Sequence, residues 1–382
     1  MSYNLEIDGF AVPSGLQRVI KVGTTGLSSG SVSVPDFDTS GNSYIISTPA
    51  GYSSSSLQEY SINSYSAVFS FNNSTKMLSW SFPSITVNSS ISYVDPGLSP
   101  AAINTKYILV QEGGPVTSSN SSGIKISDPS GSLDVDDSYP TLSVISTRST
   151  ALPVSGTPVR FSTDTYSTIT YYYNSARARQ FDADEWSDVT YDDSVTIPFA
   201  AATTNSGIRV AANPKAQHIG ALLMSPLTTG SYPLTWGMAS LYNTGQRPIP
   251  SSGMALYDET GQAVYTSSDT SIRLIAQHDV SNILNLNVNS YVDITHESTS
   301  SPFYYVSNTF NRLFKWKTNG NNQQRLLCRP SLMKLSNTTS RLLWSPYCTM
   351  VTSASGGFSG GNDNVANVSG TVGLSAIIGV IE

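Results

Sequence analysis

Residues 65–82 read YSAVFSFNNSTKMLSWSF, and this stretch decides the fold class. On both sides of the central NNSTK, apolar side chains occupy alternate positions. This period of two is typical of a strand with one buried face. The central Asn, Ser and Thr favour turns. The stretch therefore predicts a β-hairpin.

The same pattern recurs along the chain. Short runs rich in β-branched and aromatic residues are separated by clusters of Gly, Pro, Asn and Ser, at intervals that suit antiparallel sandwiches. We expect at most a short helical stretch, at 321–327. The further predicted strands lie at 16–22, 44–47, 106–111, 166–173, 271–276, 291–295, 303–306 and 313–316.

An internal repeat sets the domain organisation. Residues 122–131 read SGIKISDPSG and align without a gap on residues 252–261, which read SGMALYDETG. Later in each copy, LLMSPLTT at 222–229 matches LLWSPYCT at 342–349. Asp and Gly suit the tight turn of a hairpin at the start of each copy. The repeat indicates that one β-unit was copied along the chain.

The first third follows the same plan less closely. It lacks the Asp-x-x-Gly turn, but residues 107–110 read as a closing strand. We therefore predict an all-β fold of three tandem antiparallel β-sandwich-like modules, each of which buries its own apolar stripe. The predicted modules span 1–116, which is divergent, 117–250 and 251–382.

Composition excludes several classes of protein. Hydrophobic residues make up 39% of the chain, which is enough to build cores and argues against a disordered chain. Charged residues make up only 12%, against about 25% in an ordinary soluble protein. With 20 Lys and Arg and a net charge of −6, we expect no nucleic-acid partner.

Targeting and cofactor signals are missing from the sequence. The first residues carry Glu6 and Asp8 and lack the basic start and apolar run of a secretory signal, and no apolar run is long enough to insert in a membrane. The two cysteines, Cys328 and Cys348, cannot form a disulfide framework and are expected to be reduced. The three His residues are scattered, and no nucleotide-binding or hydrolase motif is present, so we expect no metal and no cofactor.

One acidic segment stands out, and we interpret it as a possible interaction patch. Carboxylates this close in sequence favour a solvated loop, with a Ca²⁺ site or a glycosidase pair as the alternatives. A smaller set at Asp134, Asp136 and Asp137 has the same interpretation. The members of the acidic patch are Asp182, Asp184, Glu185, Asp188, Asp192 and Asp193.

Basic side chains collect in the third module. Because the second module is acidic, these residues could dock like chains together, and a solvated face is the alternative. The set comprises Arg312, Lys315, Lys317, Arg325, Arg329, Lys334 and Arg341.

The chain resembles the distal-tail structural proteins of tailed bacteriophages. The resemblance rests on the start Met-Ser-Tyr-x-Leu, on the Asp-x-Ser/Thr-Gly-x-Leu/Ala pattern at 128–133 and 258–263, and on β-modules rich in Ser, Thr and Asn. In that group such modules lie at the tail tip, the collar or the fibre attachment region, and no catalytic residues are implied.

The resemblance implies a virion protein that is made in the host cytoplasm and is not an enzyme. Its expected partners are copies of itself, other tail proteins and a glycan or receptor at the host surface. A polysaccharide-cleaving tailspike that uses the acidic patch, and a head decoration or head-fibre protein, are the alternatives.

Overall fold

The computed structural model confirms the predicted all-β fold. Within the described residues every regular element is a β-strand and no helix occurs. The described residues are 16–49, 64–83, 86–89, 101–102, 104–112, 125–127, 133–136, 139–154, 158–163, 166–172, 179–181, 196–202, 208–213, 218–223, 230–241, 247–279, 291–306, 312–319, 322–353, 366–369 and 375–381.

The strands of the first third are β1 (Gln17–Thr24), β2 (Gly30–Ser33), β3 (Ser43–Pro49), β4 (Ser64–Tyr65), β5 (Val68–Asn72), β6 (Met77–Ser81), β7 (Thr86–Ser89), β8 (Ala101–Ala102) and β9 (Thr105–Glu112). Those of the second third are β10 (Lys125–Ser127), β11 (Leu133–Asp136), β12 (Ser143–Val154), β13 (Pro158–Thr163), β14 (Tyr166–Tyr172), β15 (Arg179–Phe181), β16 (Thr196–Ala202), β17 (Ile208–Asn213), β18 (His218–Leu223) and β19 (Gly230–Ser240). Those of the last third are β20 (Ala255–Tyr257), β21 (Ala263–Thr266), β22 (Ile272–Asp279), β23 (Tyr291–Thr295), β24 (Phe303–Val306), β25 (Arg312–Asn319), β26 (Asn322–Lys334), β27 (Thr339–Ser353), β28 (Ala366–Ser369) and β29 (Ser375–Ile381).

The hairpin predicted at 65–82 is confirmed as the antiparallel pair β5 and β6. Its turn is organised by Asn72, whose Oδ1 accepts hydrogen bonds from the main-chain N–H groups of Ser74 (3.0 Å) and Thr75 (3.2 Å). Lys76 then adopts a left-handed conformation with φ 52°. A side-chain oxygen that bonds to the backbone of the following residues is a common way to close a turn.

The short helix expected at 321–327 is wrong. Residues 322–327 form part of β26, which pairs with β25 on one side and with β27 along its whole length on the other, while residue 321 lies outside the described residues. Main-chain pairing on both edges therefore overrides the local preference for a helix.

One topology occurs three times among the described strands. Three sheets have the spatial order β1-β9-β3, β12-β19-β16 and β22-β29-β24, and we call them the inner sheets. Three outer sheets have the order β2-β6-β5, β15-β18-β17 and β23-β27-β26, the last extended by β25. When the additional strand β25 and the strands of the two-stranded sheets are left aside, the chain visits the two sheets in the same sequence each time: inner, outer, inner, outer, outer, inner.

Irregularities in strand pairing also repeat. The first strand of each inner sheet slips by one residue against its neighbour, directly after Val19, Val144 and Leu274. In the hairpins β10-β11 and β20-β21, which precede the second and third inner sheets, the pairing register shifts after the first two residue pairs. The three copies lie within 17–112, 143–240 and 272–381, while the module boundaries at 116/117 and 250/251 stay a prediction.

The first sandwich has a core of its own. Ile20, Tyr107 and Leu109 of the inner sheet pack with Leu78 of the outer sheet, and Phe37 and Phe71 meet edge to face at 4.9 Å. This burial is what the alternating pattern of the sequence predicts.

The opposite faces of all three inner sheets meet in a second, shared core. It includes Ile108 and Val110 from the first inner sheet, Phe199 from the second and Phe303 from the third. The expectation that each module buries only its own apolar stripe is therefore incomplete. The four residues 107–110 of β9 are all buried, because this strand faces the sandwich core on one side and the shared core on the other.

Main-chain pairing joins the second and third inner sheets. Strand β16 pairs with β24, with Ala200 opposite Tyr304 and Ala201 opposite Phe303. The result is a six-stranded sheet, β12-β19-β16-β24-β29-β22, which crosses the boundary predicted at 250/251. An isolated bridge between Ser143 and Ser271 also brings the two outer edges of this sheet together at one end, so the sheet curls around the shared core.

Side chains attach the first inner sheet to the third. The Gln17 amide donates to the carbonyl of Leu274 (2.7 Å) and accepts from the N–H of Leu274 (2.8 Å), so one side chain replaces a pair of strand-to-strand hydrogen bonds. A main-chain hydrogen bond adds to this attachment. The N–H of Val19 donates to the carbonyl of Pro140 at 2.8 Å, which links the first inner sheet to the segment just before β12.

Candidate functional site

The predicted acidic patch lies outside the described residues. This applies to Asp182, Asp184, Glu185, Asp188, Asp192 and Asp193, so its role stays a prediction. For the smaller acidic set, Asp134 and Asp136 belong to β11, but their side chains and all of Asp137 lie outside the described part.

Among the residues that the structure describes, no group of three or more His, Cys, Asp or Glu side chains is placed to hold a metal ion. No helix in the same part has the length and apolar character that crossing a membrane requires.

The candidate site is a pocket between the first and third sandwiches, which we call the β3–β22 pocket. Its volume is about 430 Å³, within the range of small-molecule sites. Its polar lining consists of Thr39, Ser43, Ser47, Gln277, Asp279 and Ser375. The remaining lining residues are Tyr44, Ile45, Ala67, Val68 and Phe69.

Strand geometry explains how these residues come together. Strand β3 pairs with β9 along one edge, and the pocket lies at its other edge, next to the end of β22 and the start of β29. Asp279 is the last residue of β22 and Ser375 is the first of β29, and the two are paired in register. Polar side chains from distant parts of the chain therefore converge at the end of the sheet.

Gln277 holds the two sandwiches together at the pocket. Its amide donates to the carbonyl of Ile45 at 2.8 Å and to the Ser375 hydroxyl at 2.9 Å, and its Oε1 accepts from the N–H of Ile45 at 3.3 Å. One side chain thus satisfies both main-chain groups of Ile45 at the outward edge of β3. This part of the wall is fixed in position before any ligand arrives.

Aromatic side chains form the apolar part of the pocket. Phe69 is half-buried, with its ring centroid 5.6 Å from that of Tyr107. Tyr44 is buried, and desolvation, with smaller contributions from the charges of Glu112 and Glu297, raises its pKa to about 12. The Tyr44 hydroxyl therefore stays protonated at neutral pH and can donate a hydrogen bond.

The described lining of the pocket combines polar and aromatic groups. Among the described lining residues Asp279 is the one carboxylate, and none is a His, Lys or Arg. Glycoside hydrolysis needs two carboxyl groups on either side of the bond, and the described lining supplies one.

A buried network in the third sandwich contains a Ser–His pair that the sequence did not reveal. The Ser340 hydroxyl is 2.9 Å from His296 Nε2 and 2.9 Å from the Tyr304 hydroxyl, and His296 Nδ1 lies 2.7 Å from the carbonyl of Glu297. Nδ1 of His296 can donate to the Glu297 carbonyl, while the Ser340 hydroxyl bonds to both His296 Nε2 and the Tyr304 hydroxyl. Ser340 and Tyr304 are both fully buried, so a substrate has no access to this hydroxyl and the network is structural.

Two of the predicted basic residues are described in full, and neither lies on a purely solvated face. Lys334 is buried and donates to the carbonyl of Ser300 at 2.6 Å. Arg341 binds Asp293 through two hydrogen bonds and lies 3.4 Å from the centre of the Tyr291 ring. Local partners therefore account for both cations.

Comparison with known proteins identifies no relative. No protein-family model, no curated protein and no solved structure matches the chain.

Proposed function

We propose that this chain is a non-enzymatic structural component of a bacteriophage virion, located at the distal tail at the tip, the collar or the fibre attachment region. There it joins tail subunits, including copies of itself, and contributes to attachment at the host surface. The sequence resemblance suggests this location, and the architecture supports a structural role.

The observation that carries the proposal is the shared core. Three sandwiches contribute buried side chains to it, including Ile46, Phe199 and Tyr305, each at most 1% exposed. Sandwiches that share a core cannot move separately without exposing apolar surface to water. A rigid block of this kind suits a part that must keep its shape in a particle outside the cell.

The low charge of the chain supports the same role. Only 12% of its residues are charged, and Ser, Thr and Asn are abundant. Uncharged polar surfaces form wet interfaces that depend little on salt, because few ion pairs are screened. Assembly with other subunits would then be robust to ionic strength.

Mass spectrometry of purified virions tests the proposal directly. We expect peptides of this chain in tailed particles, in a fixed ratio to other tail proteins. Labelled antibody on intact particles then distinguishes the tail from the head, where a decoration or head-fibre protein would lie. If the chain is missing from the virions, the proposal is wrong. Release of oligosaccharide from host capsule or lipopolysaccharide by the purified chain would favour the tailspike alternative.

A further inference from the structure

We propose that two copies of this chain join through strand β2, which pairs edge to edge with β2 of the second copy. We call the side of β2 that faces away from β6 the β2 edge. The inference rests on the proposed function and deepens it, because it names the strand through which copies of the chain assemble.

The main-chain groups of two serines point outward at the β2 edge. Strand β2 pairs antiparallel with β6, and the N–H of Val34 donates to the carbonyl of Lys76 at 2.8 Å in the same register. Positions that bond to the neighbouring strand alternate with positions that do not, so Val32 also faces β6. The N–H and C=O groups of Ser31 and Ser33 therefore face away from it.

The β2 edge is open to solvent. Ser31 and Ser33 are exposed, and so are residues 26–29 just before the strand, which include Leu27. Among the described strands β2 pairs with β6 alone. A strand edge with outward N–H and C=O groups is a template for another strand.

Charge distinguishes β2 from its two equivalents. Strands β2, β15 and β23 each form one edge of an outer sheet. Strand β15 contains Arg179 and β23 contains Asp293, and a charged side chain on an edge strand is a common block against strand addition. No charged residue lies between Lys21 and Asp36. Of these three edges, β2 is therefore the one without such a block.

A second copy of the chain is the partner that fits this edge. The chain has a net charge of −6, and an uncharged edge lets two copies approach with little like-charge repulsion. With a two-fold axis beside Val32, Ser31 of each copy lies opposite Ser33 of the other. Both pairs then exchange N–H···O=C hydrogen bonds, which satisfies the outward groups of both serines. Two-fold contacts of this kind are the commonest in homo-oligomers.

A pairing of this length already joins two sandwiches within the chain. The contact between β16 and β24 is antiparallel and consists of two residue pairs, Ala200 with Tyr304 and Ala201 with Phe303. Two-fold pairing at β2 would unite two outer sheets in the same way. Because each copy has one β2 edge, association through it ends at the dimer.

Sedimentation velocity and hydrogen exchange on the full chain test the inference. We expect a reversible monomer–dimer equilibrium that depends on protein concentration. Amide exchange in peptides that cover 30–34 should slow as the dimer forms, while exchange in β23 should stay the same. A chain that remains monomeric up to about 1 mM would overturn the inference, and so would a dimer without protection at 30–34.

Proline substitutions locate the contact. Ser31→Pro removes an outward N–H that β6 does not use, and proline is tolerated at such an edge position. We expect it to weaken dimerisation about tenfold or more, since each copy loses a hydrogen bond. Ser31→Ala keeps the main chain and should dimerise like the parent. Thr295→Pro is the matched control, because Thr295 is an exposed, outward position of the equivalent strand β23. Equal weakening by the two proline variants would contradict pairing at β2.

Ser33→Lys gives a second test that leaves the main chain intact. It places a positive charge on the β2 edge of each copy, and we expect dimerisation to weaken severalfold at low salt and to recover partly at high salt. Far-UV circular dichroism checks that both edge variants are folded, and if Ser31→Pro is not, Ser33→Lys decides. Unchanged dimerisation in folded Ser33→Lys would overturn the inference. Dimerisation of the purified chain and its presence in virions are measured separately, so failure of this inference is distinguishable from failure of the proposed function.

Discussion

Strands β3, β16 and β24 occupy the same position in the three inner sheets, but the edge that each turns away from its own sheet is covered in two different ways. Strands β16 and β24 pair with each other through the main chain and so merge two inner sheets into one. Strand β3 pairs only with β9 among the described strands, and at its other edge the Gln277 amide and the Tyr305 hydroxyl bind the main chain of Ile45 and Ser47. An edge closed by another strand leaves no space beside it, whereas an edge closed by two side chains leaves room for the β3–β22 pocket.

The side-chain closure also protects the edge. A strand with unpaired N–H and C=O groups is a template for further strand pairing, and proteins block such edges in several ways. At β3 the block comes from another sandwich of the same chain. The same residues therefore join two sandwiches, prevent strand addition and shape a pocket.

The largest expected effect comes from a substitution in β16, one of the two strands that join the second and third inner sheets. Phe199 of β16 is fully buried, and its ring centroid lies 5.2 Å from that of Phe303. We expect Phe199→Ala to lower the free energy of unfolding by about 3–5 kcal/mol, the usual cost of removing a buried ring. Because the core is shared, protection should fall in the first sandwich as well.

Hydrogen exchange measured by mass spectrometry tests this coupling. Peptides that cover β9 in the first sandwich and β16 in the second should lose protection together in Phe199→Ala. Leu27→Ala is the control, since Leu27 is 61% exposed and little change is expected. Full protection of β9 in a destabilised Phe199→Ala protein would contradict the shared core.

A smaller effect is expected from adding a methyl group at Gly379, next to the Phe303 ring. Gly379 lies opposite Phe303 in the β24-β29 pair, and a Cβ atom there would collide with the Phe303 ring and with the carbonyl of Arg273. The equivalent position in the second inner sheet is Ala239, opposite Ile197. We expect Gly379→Ala to destabilise the protein by about 3 kcal/mol, within the range for overpacking.

Chemical denaturation of Gly379→Ala and Ala239→Gly tests whether the close approach of Phe303 requires a glycine at position 379. Ala239→Gly removes one buried methyl group and is expected to cost only about 1 kcal/mol. If Gly379→Ala were no more destabilising than Ala239→Gly, the close approach of Phe303 would not matter for stability.

Much of the strand content could be predicted from the sequence, because alternation is a local signal. The runs at 291–295 and 303–306 match β23 and β24 residue for residue, and the hairpin of β5 and β6 is where the pattern puts it. The joining of β16 to β24 could not be predicted in this way, since it pairs Ala200 with Tyr304 across about a hundred residues and leaves no mark in either segment.

One feature of the sequence did carry information about the shared core. Residues 107–110 are apolar without alternation, which is typical of a strand buried on both faces. No comparable sequence pattern predicts the β3–β22 pocket. Ile45 and Gln277 meet only because the third inner sheet packs on the first, and no local pattern connects a polar side chain with a main-chain partner so far away in the sequence.

The side-chain closure of β3 is tested by Gln277→Leu. The change leaves the N–H and C=O of Ile45 without their partner, and we expect a loss of about 1–2 kcal/mol from the free energy of unfolding, toward the lower end of the cost of unsatisfied groups because both residues are only half-buried. We also expect self-association that rises with concentration, because the edge of β3 becomes available for strand pairing. Light scattering after size-exclusion chromatography measures the second effect.

Gln262→Leu is the control for Gln277→Leu. Gln262 is also half-buried but lies in the turn between β20 and β21, away from the edge of β3. An equal tendency to associate in both variants would indicate that the added apolar side chain, and not the opened edge, causes association.

The smallest expected effect concerns the loop beside the pocket and depends on pH. Hydrogen bonds from Ser40 and, to a smaller extent, the contact with Lys76 lower the pKa of Asp38 to about 2. A carboxyl whose pKa is lower in the folded state stabilises the protein above its unfolded value and loses that contribution as the pH falls. We expect the loss between about pH 4 and pH 2, with a magnitude of at most about 1 kcal/mol because the pair is partly exposed.

Asp38→Asn isolates this contribution from those of the other carboxyl groups. The variant should be slightly less stable than the parent protein at pH 6 and should approach it at pH 2, because the parent has then lost the same charge. Urea denaturation at a series of pH values measures the difference between the two proteins. A difference that stays constant over this range would mean that the Asp38 charge does not stabilise the loop and that its hydrogen-bonded shape alone matters.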